Sequence, residues 1–282
     1  MVKEASSPRT HSAPAWPLFQ FFLLAFALMW VCFFTVALVP IPTGAVLGQF
    51  LVLLGAFAPS LAALLVTARS EGGGGVSTLL RGVTKWRVAA RWYLFAASYA
   101  VIVKLIVAVL HRVAVGVWPH FDAEPHYVVP FAILLSTPFQ AGEEIGWRGY
   151  ALPHLVERFG LSRASVVLGV IWGCWHLPQF FIRETDTYQQ SFWVFVLGVT
   201  ALSVIFAWLW QRTGGSLLLT MLLHAAWNNS KDIVPPGAVG GTKIFGFHAS
   251  FVSWLTLTVL WVCAACLLLD MSARRQHRGI KA

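Results

Sequence analysis

The stretch QAGEEIGWRGY, residues 140–150, decides how the rest of this chain is interpreted. It places two adjacent carboxylates, Glu143 and Glu144, and the guanidinium of Arg148 in a segment that otherwise has the composition of a membrane-buried helix. Ionisable side chains are costly inside a membrane and commonly mark a functional site. Glu144 and Arg148 stand four residues apart, which predicts an ion pair on one helix face. Glu143 points about 100° away and has no local partner. We therefore expect Glu144 to be structural and Glu143 chemical, with a purely structural polar network as the alternative.

The composition of the whole chain is that of an integral membrane protein. Of its 282 residues, 58% are hydrophobic and only 11% are charged, which is not the profile of a soluble domain. The formal net charge of +9 could point to nucleic acid, but the basic residues lie in short loops and tails. Anionic lipid and membrane topology explain that placement better, so we expect lipid contacts and no nucleic-acid partner.

Apolar runs of spanning length predict an all-α, polytopic bundle of about eight transmembrane helices with a polar site in its interior. The predicted spans are residues 17–39, 46–68, 93–117, 127–155, 162–182, 191–210, 216–230 and 251–269. The domain organisation follows as an N-terminal tail over 1–16, a transmembrane domain over 17–270 with its catalytic core at about 127–230, and a basic tail over 271–282.

The distribution of basic residues predicts the orientation of the bundle, because cytoplasmic loops are enriched in Lys and Arg. An even number of spans puts both termini on one side. That side carries Lys3, Arg9, Arg69, Arg81, Lys85, Arg87, Arg91, Arg158, Arg163, Arg212, Arg274, Arg275, Arg278 and Lys281. The opposite side carries only Arg112, Arg183, Lys231 and Lys243. Both termini are therefore predicted to be cytoplasmic, in the cytoplasmic or inner membrane if the protein is bacterial.

Three further polar side chains fall inside predicted spans. His176 lies in the fifth, within the stretch WGCWHLP, and His224 and Asn228 lie four residues apart in the seventh. A lone membrane histidine is usually a packing residue, but two histidines, an amide and a glutamate on three helices are harder to explain that way. At a rise of 1.5 Å per residue, Glu143, His176 and His224 lie at a similar depth in the fourth, fifth and seventh spans. This predicts one shared site.

These residue types favour hydrolysis by an activated water. A buried carboxylate beside a histidine can take a proton from water and return it later, and an imidazole and a carboxamide on one helix face can stabilise an oxyanion. The sequence contains no Gly-x-Ser-x-Gly, no His-Glu-x-x-His and no paired intramembrane aspartates. A glutamate with two histidines is also a known catalytic zinc set, so a zinc ion held by Glu143, His176 and His224 stays open as an alternative.

The order Glu-Glu-x-x-x-Arg, aromatic-x-x-x-His and His-x-x-x-Asn on successive spans resembles the CAAX-protease and bacteriocin-processing family of intramembrane endopeptidases. The resemblance covers the fourth to the seventh span and departs once, with Trp172 where the family usually has Phe. It implies that Glu143 and His176 activate water, that His224 and Asn228 stabilise the oxyanion, and that Glu144 and Arg148 support the site.

The resemblance also implies a substrate, namely a membrane-associated protein or peptide that reaches the site from the membrane or the cytoplasm. Two other functions remain open on the sequence alone. One is a non-catalytic scaffold or immunity-type protein, and the other is a transporter of a small solute or of protons. Against the transporter, the chain has no internal repeat and no pair of broken helices in matching positions.

Overall fold

The computed structural model describes residues 15–39, 41–121, 126–235 and 244–279, and their regular secondary structure is helical throughout. The helices are α1 (Ala15–Leu38), α2 (Val46–Ala56), α3 (Ala58–Arg81), α4 (Ala90–Val115), α5 (Val129–Ser136), α6 (Ala141–Glu144), α7 (Leu152–Phe159), α8 (Leu161–Trp175), α9 (Phe192–Arg212), α10 (Leu217–Ser230) and α11 (Phe251–Gly279). The predicted helical membrane bundle is confirmed. Most of the predicted N-terminal tail and the last residues of the basic tail lie outside the described residues.

Five of the described helices are long and apolar enough to cross a membrane, namely α1, α4, α8 with its short 3-10 extension to Phe181, α9 and α11. The pair α2 and α3 gives a sixth if the two are counted as one span, although they meet at an angle of 51°. The predicted span over 46–68 is thus bent, because Pro59 stands at the start of α3 and restricts the residue before it. The predicted count of eight is approximate, since α10 is short and the segment over 127–155 is not one regular helix.

Helix α3 is itself interrupted at Gly72. This residue has φ +67° and ψ −163°, a backbone conformation that glycine adopts far more readily than residues with a side chain. The helix resumes after it and ends at Arg81. The chain then turns back into α4, and the amide of Leu217 at the start of α10 donates to the carbonyl of Gly82 at 2.8 Å.

The centre of the bundle is formed by α8 and α9, which approach each other closely through two glycines. A Cβ added at Gly169 would lie 2.6 Å from the Cα of Thr200, and one added at Gly173 would lie 3.0 Å from the Cα of Val196. Small residues in this spacing allow membrane helices to pack backbone to backbone. The close packing fixes α8, and with it Trp172 and His176, relative to its neighbours.

Candidate active site

The segment that carries the two glutamates changes helical type three times. Helix α5 gives way to a 3-10 turn over Thr137–Gln140, which contains Pro138, and α6 follows for one turn. Residues Ile145–Ala151 then form a π-helix. The change from α-helix to 3-10 turn coincides with Pro138, whereas nothing in the sequence indicated the π-helix. Widened turns of this kind occur frequently at functional sites, and this one contains Arg148.

Glu144, Arg148 and His224 form a buried cluster. The Oε1 atom of Glu144 accepts from Nη1 of Arg148 at 2.8 Å and from Nδ1 of His224 at 2.9 Å. The side chains of Glu144 and Arg148 are fully buried. The predicted ion pair is therefore present, and it extends to a histidine from a different helix, α10. The sequence placed His224 in the site but gave no sign of this contact.

Arg148 is held between two aromatic rings. Its guanidinium carbon lies 4.0 Å from the ring centroid of Trp172 and 4.2 Å from that of Phe206. Cations over aromatic faces are attracted by the ring quadrupole, and more strongly when water is excluded. Oε2 of Glu144 and Nε and Nη2 of Arg148 are buried without a hydrogen-bond partner among the described residues. The rings therefore supply part of what hydrogen bonds would otherwise provide.

Trp172 connects this cluster to the second glutamate. Its indole Nε1–H donates to Oε2 of Glu143 at 2.6 Å, while its ring packs edge-on against that of His224 at 5.5 Å. Glu143, which has no partner on its own helix, thus gains one from α8. One carboxylate oxygen of Glu143 is anchored by this bond, and the other remains available to a ligand.

The backbone of Trp172 also fixes the tautomer of His176. Nδ1 of His176 lies 2.8 Å from the carbonyl oxygen of Trp172. Because a carbonyl oxygen can only accept, Nδ1 carries a proton, and the neutral ring keeps its lone pair on Nε2. The same reasoning applies to His224, whose Nδ1 faces the carboxylate of Glu144. Its Nε2 accepts when the ring is neutral and donates when the ring is protonated.

A cavity of about 690 Å³ brings the predicted residues together. It is lined by Glu143, His176, His224 and Asn228, as well as by Trp172 and Lys104. Asn228 is exposed there, and its Nδ2 donates to Oε1 of Gln140 at 3.4 Å. Glu144 and Arg148 do not line the cavity and lie behind the residues that do. The structure therefore separates one carboxylate in the cavity from one beneath it, as the spacing of residues 143 to 148 predicted.

The alternative of a zinc ion finds no support in the donor geometry. Within the described parts of the chain, no three His, Cys, Asp or Glu side chains form a group that could hold a metal ion. Trp172 occupies one oxygen of Glu143 and Glu144 occupies Nδ1 of His224, which leaves the second Glu143 oxygen and Nε2 of His224 as the atoms that could bind a metal. Glu143, His176 and His224 line one cavity, but as they stand they are not arranged as a metal centre, and we derive no reaction step through a metal.

The part of the chain that resembles known proteins is the part that contains this site. Residues 124–230 match the sequence profile of the Rce1-like family, described as type II CAAX prenyl endopeptidase Rce1-like. Over this segment the chain is similar to the Rce1-like family. The resemblance predicted from the glutamate, histidine and asparagine pattern is thus confirmed.

One curated relative of the Rce1-like segment is CAAX prenyl protease 2 of Methanococcus maripaludis. The two proteins are 32% identical over 112 residues, which cover 38% of this chain and 40% of the relative. The matched region of the Rce1-like family contains Glu143, Glu144, Arg148, His176, His224 and Asn228. It also contains Phe206 and Trp172, the two aromatic residues around Arg148. From the sequence, Trp172 stands out only as an exchange for Phe, and nothing in the sequence indicates that its indole N–H binds Glu143.

Proposed function

We propose that this protein is an intramembrane endopeptidase that hydrolyses a peptide bond of a membrane-associated protein or peptide with water activated by Glu143 and His176. The observation that carries the proposal is the position of Glu143, whose carboxylate is anchored by Trp172 in a cavity that two histidines also line. A scaffold has no need of a second, chemically available carboxylate beside the neutralised Glu144.

The reaction begins with proton transfer from water. The unanchored oxygen of Glu143 takes the proton, with Nε2 of His176 as a second acceptor, while the water oxygen attacks the carbonyl carbon of the peptide. The carbonyl π electrons move onto oxygen and form a tetrahedral oxyanion. When the C–N bond breaks, Glu143 returns the proton to the leaving amine, which gives a carboxylic acid and an amine as products.

The oxyanion is stabilised by donors from α10. Asn228 Nδ2 donates one hydrogen bond, and protonated His224 donates another from Nε2. Glu144 orients that ring, because it accepts from Nδ1 of His224 at 2.9 Å. Arg148 and its two aromatic neighbours hold Glu144 in place, so their contribution is to position the histidine.

The test is cleavage of a fluorogenic peptide by purified protein in detergent. Glu143→Ala is expected to show no turnover above background, whereas Asn228→Ala should lose about 10²–10³ in rate, the usual effect of losing one oxyanion donor. Glu157, an exposed carboxylate on α7, provides the matched control, and Glu157→Gln should retain full activity. Full activity of Glu143→Ala would rule out the mechanism.

The same assay distinguishes the water mechanism from a zinc enzyme. With water activated by Glu143 and His176 alone, chelators such as phenanthroline should leave the rate unchanged. Loss of activity on chelation, restored by added zinc and accompanied by stoichiometric metal in the purified protein, would favour a zinc site at Glu143, His176 and His224 instead.

The apolar wall of the cavity supports a substrate that is itself membrane-bound. Beyond the polar end, the lining includes Phe33, Val52, Leu257 and Leu260, and also Gly198, where an added Cβ would meet nothing within 4 Å. Gly198→Leu should therefore fill the apolar part of the cavity. We expect it to raise KM for an apolar or lipid-modified peptide much more than for a short polar one, with Gly198→Ala as the conservative control.

A further inference from the structure

The cavity and the basic residues lie at opposite ends of the bundle. The end that we call the basic face is defined by contacts that join the ends of four helices. The amide of Leu217 donates to the carbonyl of Gly82, and Nζ of Lys85 donates to the carbonyl of Gly214 at 2.6 Å. Arg212 forms an ion pair with Asp270 at 2.7 Å. These contacts place the end of α9, the start of α10 and the distal part of α11 beside the loop between α3 and α4.

Most of the described basic side chains outside the cavity belong to this basic face. Some lie in the loop between α3 and α4 or beside it, and others lie at the junction of α7 and α8 or at the end of α9. They are Arg81, Lys85, Arg87, Arg91, Arg158, Arg163 and Arg212. The positive-inside rule counts Lys and Arg in short loops and assigns the richer side to the cytoplasm. The basic face is therefore the cytoplasmic end of the bundle.

The opposite end, the cavity face, is formed by the loop over residues 182–191 and its contacts. Lys231, directly after α10, pairs with Asp186 of that loop, and the amide of Phe192 bonds the carbonyl of Ile244 at 2.9 Å. Arg183 and Lys231 are the basic side chains at these contacts. Glu184 and Gln189, both exposed, line the cavity and mark its mouth.

The depth of the site agrees with an opening at the cavity face. His176 directly follows the fifteen-residue helix α8, which starts at the basic face, so about 22 Å of helix separates it from that face. From His176 to the cavity-face loop the chain needs only the 3-10 turn Leu177–Phe181. In the direction of the basic face the bundle is filled by fully buried side chains, namely Trp147, Leu152, Phe206, Leu209, Leu219 and Leu223.

We infer that the site takes its peptide from the extracytoplasmic side of the membrane, and that its substrates are peptide segments exposed there. That the site takes a peptide substrate rests on the proposed peptidase function. That the substrate arrives from the extracytoplasmic side rests on the placement of the cavity and of the basic residues. The sequence-based expectation allowed a substrate to arrive from the membrane or from the cytoplasm. The inference departs from the cytoplasmic route, because that route together with cytoplasmic termini would require a cavity open at the basic face.

The experiment compares two membrane preparations that expose opposite faces. Intact spheroplasts and inverted vesicles receive a charged, membrane-impermeant fluorogenic peptide, and each is measured before and after detergent. We expect spheroplasts to cleave the peptide without detergent, and inverted vesicles to become active only after detergent is added. Inverted vesicles that cleave without detergent, together with inactive spheroplasts, would overturn the inference. The Glu143→Gln variant, inactive in every preparation, controls for host proteases.

If detergent-solubilised protein cleaves nothing, the proposed function fails, and the side of the cavity is decided by labelling instead. Glu184→Cys and Thr84→Cys, both exposed positions, are made in a background without Cys32, Cys174, Cys263 and Cys266. An impermeant maleimide added to intact cells should modify Glu184→Cys and leave Thr84→Cys unmodified, and both should react after solubilisation. Modification of Thr84→Cys in intact cells, or protection of Glu184→Cys until detergent is added, contradicts the inference.

Discussion

A single side chain, Trp172, contacts the carboxylate in the cavity, the guanidinium behind it and both histidines. Its indole N–H is its only side-chain hydrogen-bond donor, and this donor binds Glu143 at 2.6 Å. Phe at this position would keep an aromatic ring beside Arg148, but it would lose the bond to Glu143 and part of the indole's volume. Compared with the same exchange at another indole that binds a carboxylate, Trp172→Phe therefore tests whether this bond positions Glu143.

For Trp172→Phe we expect kcat to fall about ten- to hundredfold, since hydrogen bonds to charged groups contribute about 1.5–3 kcal/mol. KM and the midpoint of thermal unfolding should change little, because the aromatic ring is retained. The matched control is Trp208→Phe, which removes an indole bond to Asp270 at 3.1 Å far from the cavity and should leave kcat unchanged. Equal losses of kcat in both variants would contradict the positioning role.

The two neighbouring glutamates should respond oppositely to removal of their charge. Glu144→Gln leaves buried Arg148 without a counter-ion, and breaking a buried pair costs about 3–5 kcal/mol. We expect a markedly lower unfolding midpoint and lower yield in detergent. Glu143→Gln should unfold near the wild-type temperature and show no turnover. If the stability loss instead follows Glu143→Gln and Glu144→Gln is harmless, the two roles are assigned the wrong way round.

At the scale of the elements, the glycines that permit close helix packing should be intolerant of even one extra carbon. A Cβ at Gly146 would lie 2.5 Å from the backbone carbon of Pro59, so Gly146→Ala forces the π-helix away from α3. Overpacking of this kind costs about 1–3 kcal/mol, which we expect as a lower unfolding midpoint. Gly198→Ala, in open space on α9, is the control and should be neutral or stabilising. Equal midpoints for the two variants would show that the approach of α3 to the π-helix is not tight.

How far the elements could be predicted depends on the range of the interactions that form them. Helices α1, α4, α9 and α10 follow from apolar runs and from Ser216, whose side chain caps α10 as an acceptor for Leu219 N. The Glu144–Arg148 pair follows from local spacing. The π-helix, the bond of His224 to Glu144 and the bond of Trp172 to Glu143 could not be predicted, because each depends on which helices become neighbours. The break before Pro59 had a local signal that the hydropathy pattern obscured.

At the scale of the whole molecule, the matched segment 124–230 depends on helices outside it. Nε1 of Trp175 donates to the carbonyl of Ala25 at 3.0 Å, Nε1 of Trp30 donates to the carbonyl of Trp175 at 3.1 Å, and Oγ of Ser60 donates to the carbonyl of Ala141 at 2.5 Å. Helices α1 and α3 thus hold α8 and α6, which carry the site. The predicted catalytic core at about 127–230 is part of a larger folding unit.

A fragment comprising residues 124–230 should therefore fail to fold on its own. Expressed in membranes and purified in detergent, it is expected to elute as a polydisperse species on size exclusion and to show no cleavage of the fluorogenic peptide. The full chain prepared in parallel is the control. A monodisperse fragment with a cooperative unfolding transition would show that α1 and α3 are dispensable for the fold of the core.

The pairing of Glu144 with Arg148 on one helix has a consequence for how this protein is made. On insertion scales, a lone Arg or Asp at the centre of a nascent transmembrane helix costs about 2.5–3.5 kcal/mol. Here the acid and the base are four residues apart and bonded at 2.8 Å, so the segment carries its own counter-ion as it leaves the translocon. Helices α8, α9 and α10, which are synthesised later, then bring Trp172, Phe206 and His224 to a pair whose net charge is already zero. Biogenesis of the site therefore does not have to wait for its last helix.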